Sequence, residues 1–563
     1  MRIVRALILI AAILSLNSGL KAQAIWYEPG SWQEAVLLAS GGNYNTERLN
    51  FRTPFHLLKL QTHPIDSLKP AEYRKKFNTQ SYFKADNPET FNHSLVRPLS
   101  KVHSSGWNQY WLWKNPAAFY LFSDNELNRK STFLINPVLN LGVGKESGEN
   151  TIQNGRGAEI RGNLMQKLAF HTIVIENQSR FPAYVNLYRD SLGVVPGLGW
   201  WKKFKGTGTD FLQATGYVNA ALIGNVNSDK HLLFSAGHGS FAVGQGYRSL
   251  ILSNFAAPFG FVRFNTRIGA FRYQNLYGSL NGFAPLLGDT SLPKKYLAMH
   301  RGSLTFNKFE IGFTEMTIHS RPGSGFDVDY LNPIIFYRSV EANLGSADNT
   351  LMALDAALNL KQFRFYGQFL LDEFKLKYFK QGNWWANKFG WQIGSIYRFS
   401  NHLLKGFVQA EINAVRPYTY SHYNALNSYT HYNQPLAHPL GANFREGVLR
   451  FFIIPTSMQR LRISFTGMTA KQGTDPYYNS GLNYGNNPRR DNDTRVSNFD
   501  IRMLQGFPTR IVSYRFDVSY MLRHNLHFDL GFQHRNYTGR EPLNSNWLSV
   551  GLRLNFEQNR QLF

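Results

Sequence analysis

The chain of 563 residues contains no Cys, is 15% aromatic and carries a formal net charge of +25. The missing thiols exclude disulfides, thiolate-held zinc or iron–sulfur sites and a lipid-modified cysteine anchor. Beyond the N-terminus no run approaches the about 18 apolar residues of a transmembrane helix, and mean hydropathy is an ordinary −0.32.

Arg2 and Arg5 precede an unbroken apolar stretch from Ala6 to Leu14, and Ala22-Gln23-Ala24 follows. That order of charge, apolar run and small residues is a secretory signal peptide, too short to span a bilayer. Residues 1–24 are read as the signal, with cleavage after Ala24 or, alternatively, after Ala22. Residues 25–130 differ from the rest. Ser31-Trp32-Gln33-Glu34-Ala35 and Lys69-Pro70-Ala71-Glu72-Tyr73 look like helix starts, with Ser31 as N-cap and Glu34 in capping-box position. They predict a small, partly helical periplasmic or plug-like segment.

From 131 to 563 the sequence reads with a period of two. Phe133, Ile135, Leu139, Leu141 and Val143 alternate with Asn136, Asn140 and Gly142. Glu159, Arg161 and Asn163 share the polar side of the next strand, and Phe309, Ile311 and Phe313 an apolar side further on. Near the C-terminus Val512, Tyr514, Phe516, Val518 and Tyr520 oppose Ser513, Arg515, Asp517 and Ser519. Leu526, Phe528, Leu530 and Phe532 oppose His527, Asp529, Gly531 and Gln533. Last, Leu548, Val550, Leu552, Leu554 and Phe556 oppose Ser549, Gly551, Arg553 and Asn555. One apolar and one polar side per strand fits lipid and lumen, which keeps mean hydropathy modest. The expected fold is all-β: a transmembrane antiparallel barrel of about 16–20 strands, best guess about 18.

The connections alternate in length. Short links lie near Asn359, Asn401, Ser457 and His524, and long ones at about 374–388, 414–445, 471–507 and 535–546. Outer-membrane barrels have short periplasmic turns and long external loops. With the C-terminus periplasmic, every long loop falls outside, and loops 414–445 and 471–507 are expected on the cell surface.

Catalytic patterns are absent: no Gly-x-Ser-x-Gly, no His-Glu-x-x-His, no phosphate loop. Asp372-Glu373 and Glu310 with Glu315 are paired carboxylates of a glycosidase kind, but lumen charges paired with Arg or Lys account for them better. Asp491 and Asp493 could attract calcium, without EF-hand spacing. His238, between two glycines, reads as a tight turn or a lumen contact. No enzyme and no cofactor is expected. The loop aromatics say more. Tyr418, Tyr420, Tyr423, Tyr429 and Tyr432 stand with Arg416, His422, His431, His438, Asn433 and Gln434, and Trp384 with Trp385 in the preceding long loop. Flat aromatic faces beside amides and imidazoles suit sugars, so these are the candidate glycan-binding residues. An interface girdle or a loop packed on itself is the competing reading.

Two resemblances add to this. Ser549-x-Gly551-x-x-Leu554-x-Phe556 resembles the signal read by the outer-membrane barrel assembly machinery. Asn154-Gly-Arg-Gly-Ala-Glu-Ile-Arg-Gly162, Gly237-His-Gly-Ser running to Gly246-Tyr-Arg-Ser-Leu250, Asn332-Pro-Ile-Ile-Phe-Tyr-Arg-Ser-Val-Glu341, and Arg416 through Asn443 resemble the capsule-assembly Wzi-like family, including gliding-motility RemB-type barrels. The resemblance implies an outer-membrane barrel that binds or organises surface polysaccharide, in capsule assembly or gliding. The positive charge suits lipopolysaccharide or acidic polysaccharide rather than nucleic acid, for which no motif is present. A porin or solute-uptake channel is the alternative.

Overall fold

The computed structural model describes residues 119–123 and, short stretches within the connections aside, 132–556. A strand at Phe119–Ser123 belongs to the expected N-terminal segment. The signal peptide and the two expected helix starts lie outside the described residues.

Alternating side chains give each strand one apolar face, and closing the sheet on itself removes its edges. The barrel has 18 strands. They are β1 (Thr132–Glu146), β2 (Glu149–Leu164), β3 (Leu168–Arg180), β4 (Gly208–Ile223), β5 (Lys230–Gly239) and β6 (Phe259–Ile268). Next come β7 (Phe271–Asn281), β8 (Lys294–Thr305), β9 (Phe309–His319), β10 (Asn349–Leu360), β11 (Phe363–Glu373) and β12 (Lys388–Ser400). The remainder are β13 (Leu404–Val415), β14 (Phe444–Pro455), β15 (Leu461–Thr474), β16 (Phe507–Arg523), β17 (Leu526–Thr538) and β18 (Leu543–Leu554). Each pairs antiparallel with its neighbours, and β18 closes on β1 from Leu139↔Leu554 to Glu146↔Trp547. Among the described residues two α-helices lie in connections: α1 (Ala183–Leu192) and α2 (Tyr337–Leu344).

The two faces fall as the alternation demands. Phe516, Leu530, Phe532, Val550 and Leu552 are exposed on the outer wall, while Ser513, Asp517, His527, Gln533 and Arg553 are buried inside. Inward charges are paired: Arg515 with Asp517 at 2.8 Å, Arg553 with Asp529 at 2.8 Å, Arg301 with Asp355 and Glu310. The C-terminal end departs from the expected register of faces. Leu554 keeps its place in the outward row, opposite Leu139 and Leu526, but Asn555 takes a left-handed backbone (φ 49°) and Phe556 turns inward and is buried. Phe556 then packs on Val138 and Ile175.

Connection lengths alternate as expected at 361–362, 401–403 and 456–460 against 374–387, 416–443 and 475–506. The long link expected at 535–546 is the short one 539–542, because both flanking strands continue further than their apolar residues suggested. The end bearing the long connections is called external below.

Candidate functional site

The connection 416–443, expected as an exposed loop, turns into the barrel instead. The connection 240–258 does the same from the opposite wall, and the two clasp one another. Ser253 N–H donates to Leu436 O (2.9 Å), the Tyr420 hydroxyl to Leu250 O (2.7 Å), and the Tyr429 hydroxyl to Ile251 O (2.9 Å). Around them Phe241, Leu252, Leu276, Met299, Met316 and Leu370 form the largest apolar core of the barrel. Polar anchors complete the crossing. Glu411 of β13 accepts from the amides of Tyr247 (2.6 Å) and Arg248 (3.1 Å) and from the Tyr366 hydroxyl (2.8 Å). Glu446 of β14 receives the Arg248 guanidinium and His438 Nε2 (2.7 Å). The buried Lys295 ammonium donates to Ser428 O (2.8 Å) and Thr430 Oγ1 (3.1 Å). Gly246 is required here: its φ of 88° suits glycine, and a Cβ would collide with Gln392 and Glu411.

Burial therefore separates the candidate glycan-binding residues. Tyr418, Tyr420, His422, Tyr429, Asn433 and His438 are buried, which leaves them no face for a sugar; they are the interior of a plug. The Tyr418 hydroxyl donates to Asn483 O (2.7 Å), and the Asn433 amide holds Leu192 O (2.8 Å). Burial pushes the Tyr418 hydroxyl up to about 12 and the His431 imidazole down to about 3. Arg416 is half-buried, stacked over Phe389 at 5.4 Å and donating to Ile501 O (3.3 Å). Tyr432 is half-buried edge-on to Trp200 at 6.2 Å, and Tyr423 is exposed beside the His422 ring at 4.4 Å.

Trp384 and Trp385 remain at the external rim. Connections 374–387 and 475–506 are tied together there by Trp385 N–H to Asn498 O (3.0 Å) and Ile501 N–H to Asn383 O (3.1 Å). Trp384 packs at a tilt on Tyr378 (4.6 Å), and Tyr378 meets the exposed Phe499 edge-on (6.1 Å). Cations surround the rings: Lys375 lies 5.1 Å from Trp384, and Arg495 lies 4.1 Å from Trp385. Sequence reading missed Tyr378, Phe499 and Arg495, since only folding brings these two connections together. It also missed the 240–258 plug, whose signal is a loop of glycines followed by Leu250-Ile251-Leu252, too apolar for an exposed loop.

The remaining candidates are structural. Glu310 faces inward to Arg301 (3.5 Å), whereas Glu315 faces outward, so the two form no pair. Asp372 accepts from Tyr420 N–H (2.7 Å) and Glu373 meets Lys388 (3.3 Å). Asp491 caps a turn through Asp493 N–H (2.7 Å), and Asp493 pairs with Arg495 (2.9 Å). Among the described residues no group of acidic and His side chains could hold a metal. His238 is an exposed strand residue, not a tight turn. Inside the barrel, a cavity of about 190 Å³ remains below the 181–198 segment, between Gln213, Arg515, Trp547 and Phe556.

Residues 217–512, more than half of the chain, match the model of the family described as capsule assembly protein Wzi. The chain belongs to that family. Among solved structures, the Escherichia coli outer-membrane Wzi, described as a carbohydrate-binding β-barrel involved in group 1 capsule assembly, is 13% identical with a TM-score of 0.47, covering 75% of this chain and 85% of that one. Pseudomonas aeruginosa OprD is 10% identical (TM-score 0.39, covering 75% and 95%). Acinetobacter baumannii OccAB1 is 8% identical (TM-score 0.40, covering 75% and 96%). No curated protein matches the sequence. This Wzi-family chain is an outer-membrane barrel of capsule assembly, and its family is described by that assembly rather than by a reaction.

Proposed function

We propose that the barrel holds surface polysaccharide at its external rim, without enzymatic chemistry, and that Trp384 with its neighbours forms the contact. The observation that carries this reading is the rim cluster of Trp384, Tyr378 and Phe499 ringed by Lys375 and Arg495. Aromatic faces take the apolar faces of sugar rings, and cations at their edge suit acidic groups. Tyr423, Tyr432 and Arg416 extend the same rim and belong to the proposed contact. The two lumen-crossing connections favour a binder over a solute channel. In this reading residues 1–24 direct export, and residues 25–130 form a periplasmic or plug-like segment.

Binding of an acidic capsular polysaccharide to the full chain in detergent tests the proposal. Trp384→Ala should weaken binding by about 0.5–1.5 kcal/mol, the worth of one aromatic contact, and Trp384→Ala with Phe499→Ala should abolish weak binding. Binding unchanged by both substitutions refutes the rim site.

A further inference from the structure

The 320–348 connection between β9 and β10 does something different from the plug: it folds over the outside of the wall. On the outer face of β9, Phe309, Ile311 and Phe313 are followed in the same alternation by Glu315, Thr317 and His319. His300 stands beside Glu315, Asn275 beside His300, and Thr350 beside Thr317, all on that face. All six of these polar residues are buried. A strand of this length crosses a bilayer once, so this polar patch occupies the external half of a wall that elsewhere meets lipid.

What buries it is the 320–348 connection. Glu315 accepts the first amides of α2, Tyr337 N–H at 2.8 Å and Arg338 N–H at 3.2 Å, and so caps a helix that has no side-chain cap of its own. The Tyr277 hydroxyl donates to Leu331 O (3.1 Å), Thr350 Oγ1 to Glu341 (3.3 Å), and His319 stacks on Tyr330 (4.5 Å). The underside of the flap is therefore matched to the wall, with Tyr330, Tyr337 and Val340 packed on Tyr277 and Ala298 between these bonds. Its upper side presents apolar side chains outward: Leu331 is 47% exposed, Ile334 83% and Phe336 58%, with Asp329 and Arg338 exposed beside them. An external loop in water has no reason to present those three side chains outward. Phe336 moreover touches Phe313 of the lipid-facing row, edge-on at 6.1 Å, so the apolar surface of the flap continues the lipid belt.

We infer that residues 328–344 lie in the outer leaflet of the membrane, with Leu331, Ile334 and Phe336 against lipid acyl chains. In this sector the barrel meets lipid through a folded-back loop instead of its strands. The inference is independent of the glycan reading, and it gives the Asn332–Glu341 motif a role that reading leaves without one.

The absence of Cys makes the test clean. Single variants Ile334→Cys and Phe336→Cys are compared with Leu354→Cys on an outward strand face and Ser497→Cys in an exposed loop, all in the full chain refolded into lipid vesicles. A membrane-impermeant maleimide should label Ser497→Cys and fail to label the other three until detergent is added. Nitroxides at 334 and 336 should be quenched by oxygen and not by a water-soluble nickel complex, as at 354. Labelling of Ile334→Cys at the rate of Ser497→Cys overturns the inference, because the flap is then in water. Shielding of both nitroxides from oxygen as well as nickel also overturns it, because protein then covers the flap.

Discussion

At the scale of single residues, burial decides which aromatic can act on a ligand. Tyr420 and Trp384 looked alike in sequence, both in long connections rich in aromatics. Tyr420 is fully buried, with its hydroxyl on Leu250 O and its amide on Asp372. Tyr420→Ala should therefore destabilise the protein by about 3–5 kcal/mol, the range for truncating a buried aromatic, while Tyr420→Phe loses about 1 kcal/mol for one hydrogen bond. Urea unfolding in vesicles measures both, and equal effects would mean that Tyr420 is not packed as described. His431 makes a pH prediction. Its Nδ1 accepts from Asn281 N–H (3.0 Å), so its Nε2–H must donate to Pro258 O (3.1 Å), and no site remains for a second proton. Its folded pKa is lowered to about 3, so the stability it contributes is present above about pH 6.5 and lost as pH falls toward 3. The loss approaches about 5 kcal/mol as the pH nears 3. His431→Gln, which can accept and donate in the same places, should flatten the acid limb of thermal stability measured from pH 7 to 4. An unchanged acid limb would assign the pH dependence to other groups.

At the scale of elements, the strands were legible and the connections were not. Period two tells which side chains share a face, and it placed Leu552 outside and Arg553 inside correctly. It failed after Asn555, where one left-handed residue ends the alternation. Length alternation located the ends of the barrel, yet it carries no information on whether a connection projects, plugs or folds back. Those outcomes depend on partners far away in sequence, such as Glu411 for Tyr247 and Glu315 for Tyr337. The same logic refines the strand prediction. Leu552→Arg puts a cation on the lipid-facing wall near the periplasmic end of β18, where the cost falls to about 0–1 kcal/mol, and Asp529→Asn offers it no remedy. Arg553→Leu strips Asp529 of two hydrogen bonds (2.8 and 3.1 Å), a loss of about 1–3 kcal/mol that Asp529→Asn should partly restore. Vesicle unfolding of the two single variants and the double variant checks this. Rescue of Leu552→Arg by Asp529→Asn would mean that position 552 faces inward.

At the scale of the whole molecule, five long connections take three directions, to the rim, into the lumen and onto the outer wall, and the proposed function follows from that division. Connections 374–387 and 475–506 stay at the rim and carry the aromatic cluster. Connections 240–258 and 416–443 clasp one another inside the lumen, the first anchored to Glu411 of β13 and Glu446 of β14, the second to Glu446. A barrel with this many strands has an interior wide enough for an aqueous path unless something crosses it. In the proposed reading the crossing segments are what keeps this molecule from conducting like a porin. Replacing 241–257 with a short Gly-Ser link removes Arg248 and the apolar core partners of Tyr420 and Tyr429, and leaves the cavity beside Arg515 and Trp547 to join the freed space. In planar bilayers the wild-type chain should be silent and the shortened chain should give stepwise conductance. Polysaccharide binding at the rim should survive, because neither Trp384 nor Phe499 touches the removed segment. Conductance in the wild type would return the solute-channel reading to first place. Silence in both chains would mean that the lumen is closed at another level along its axis.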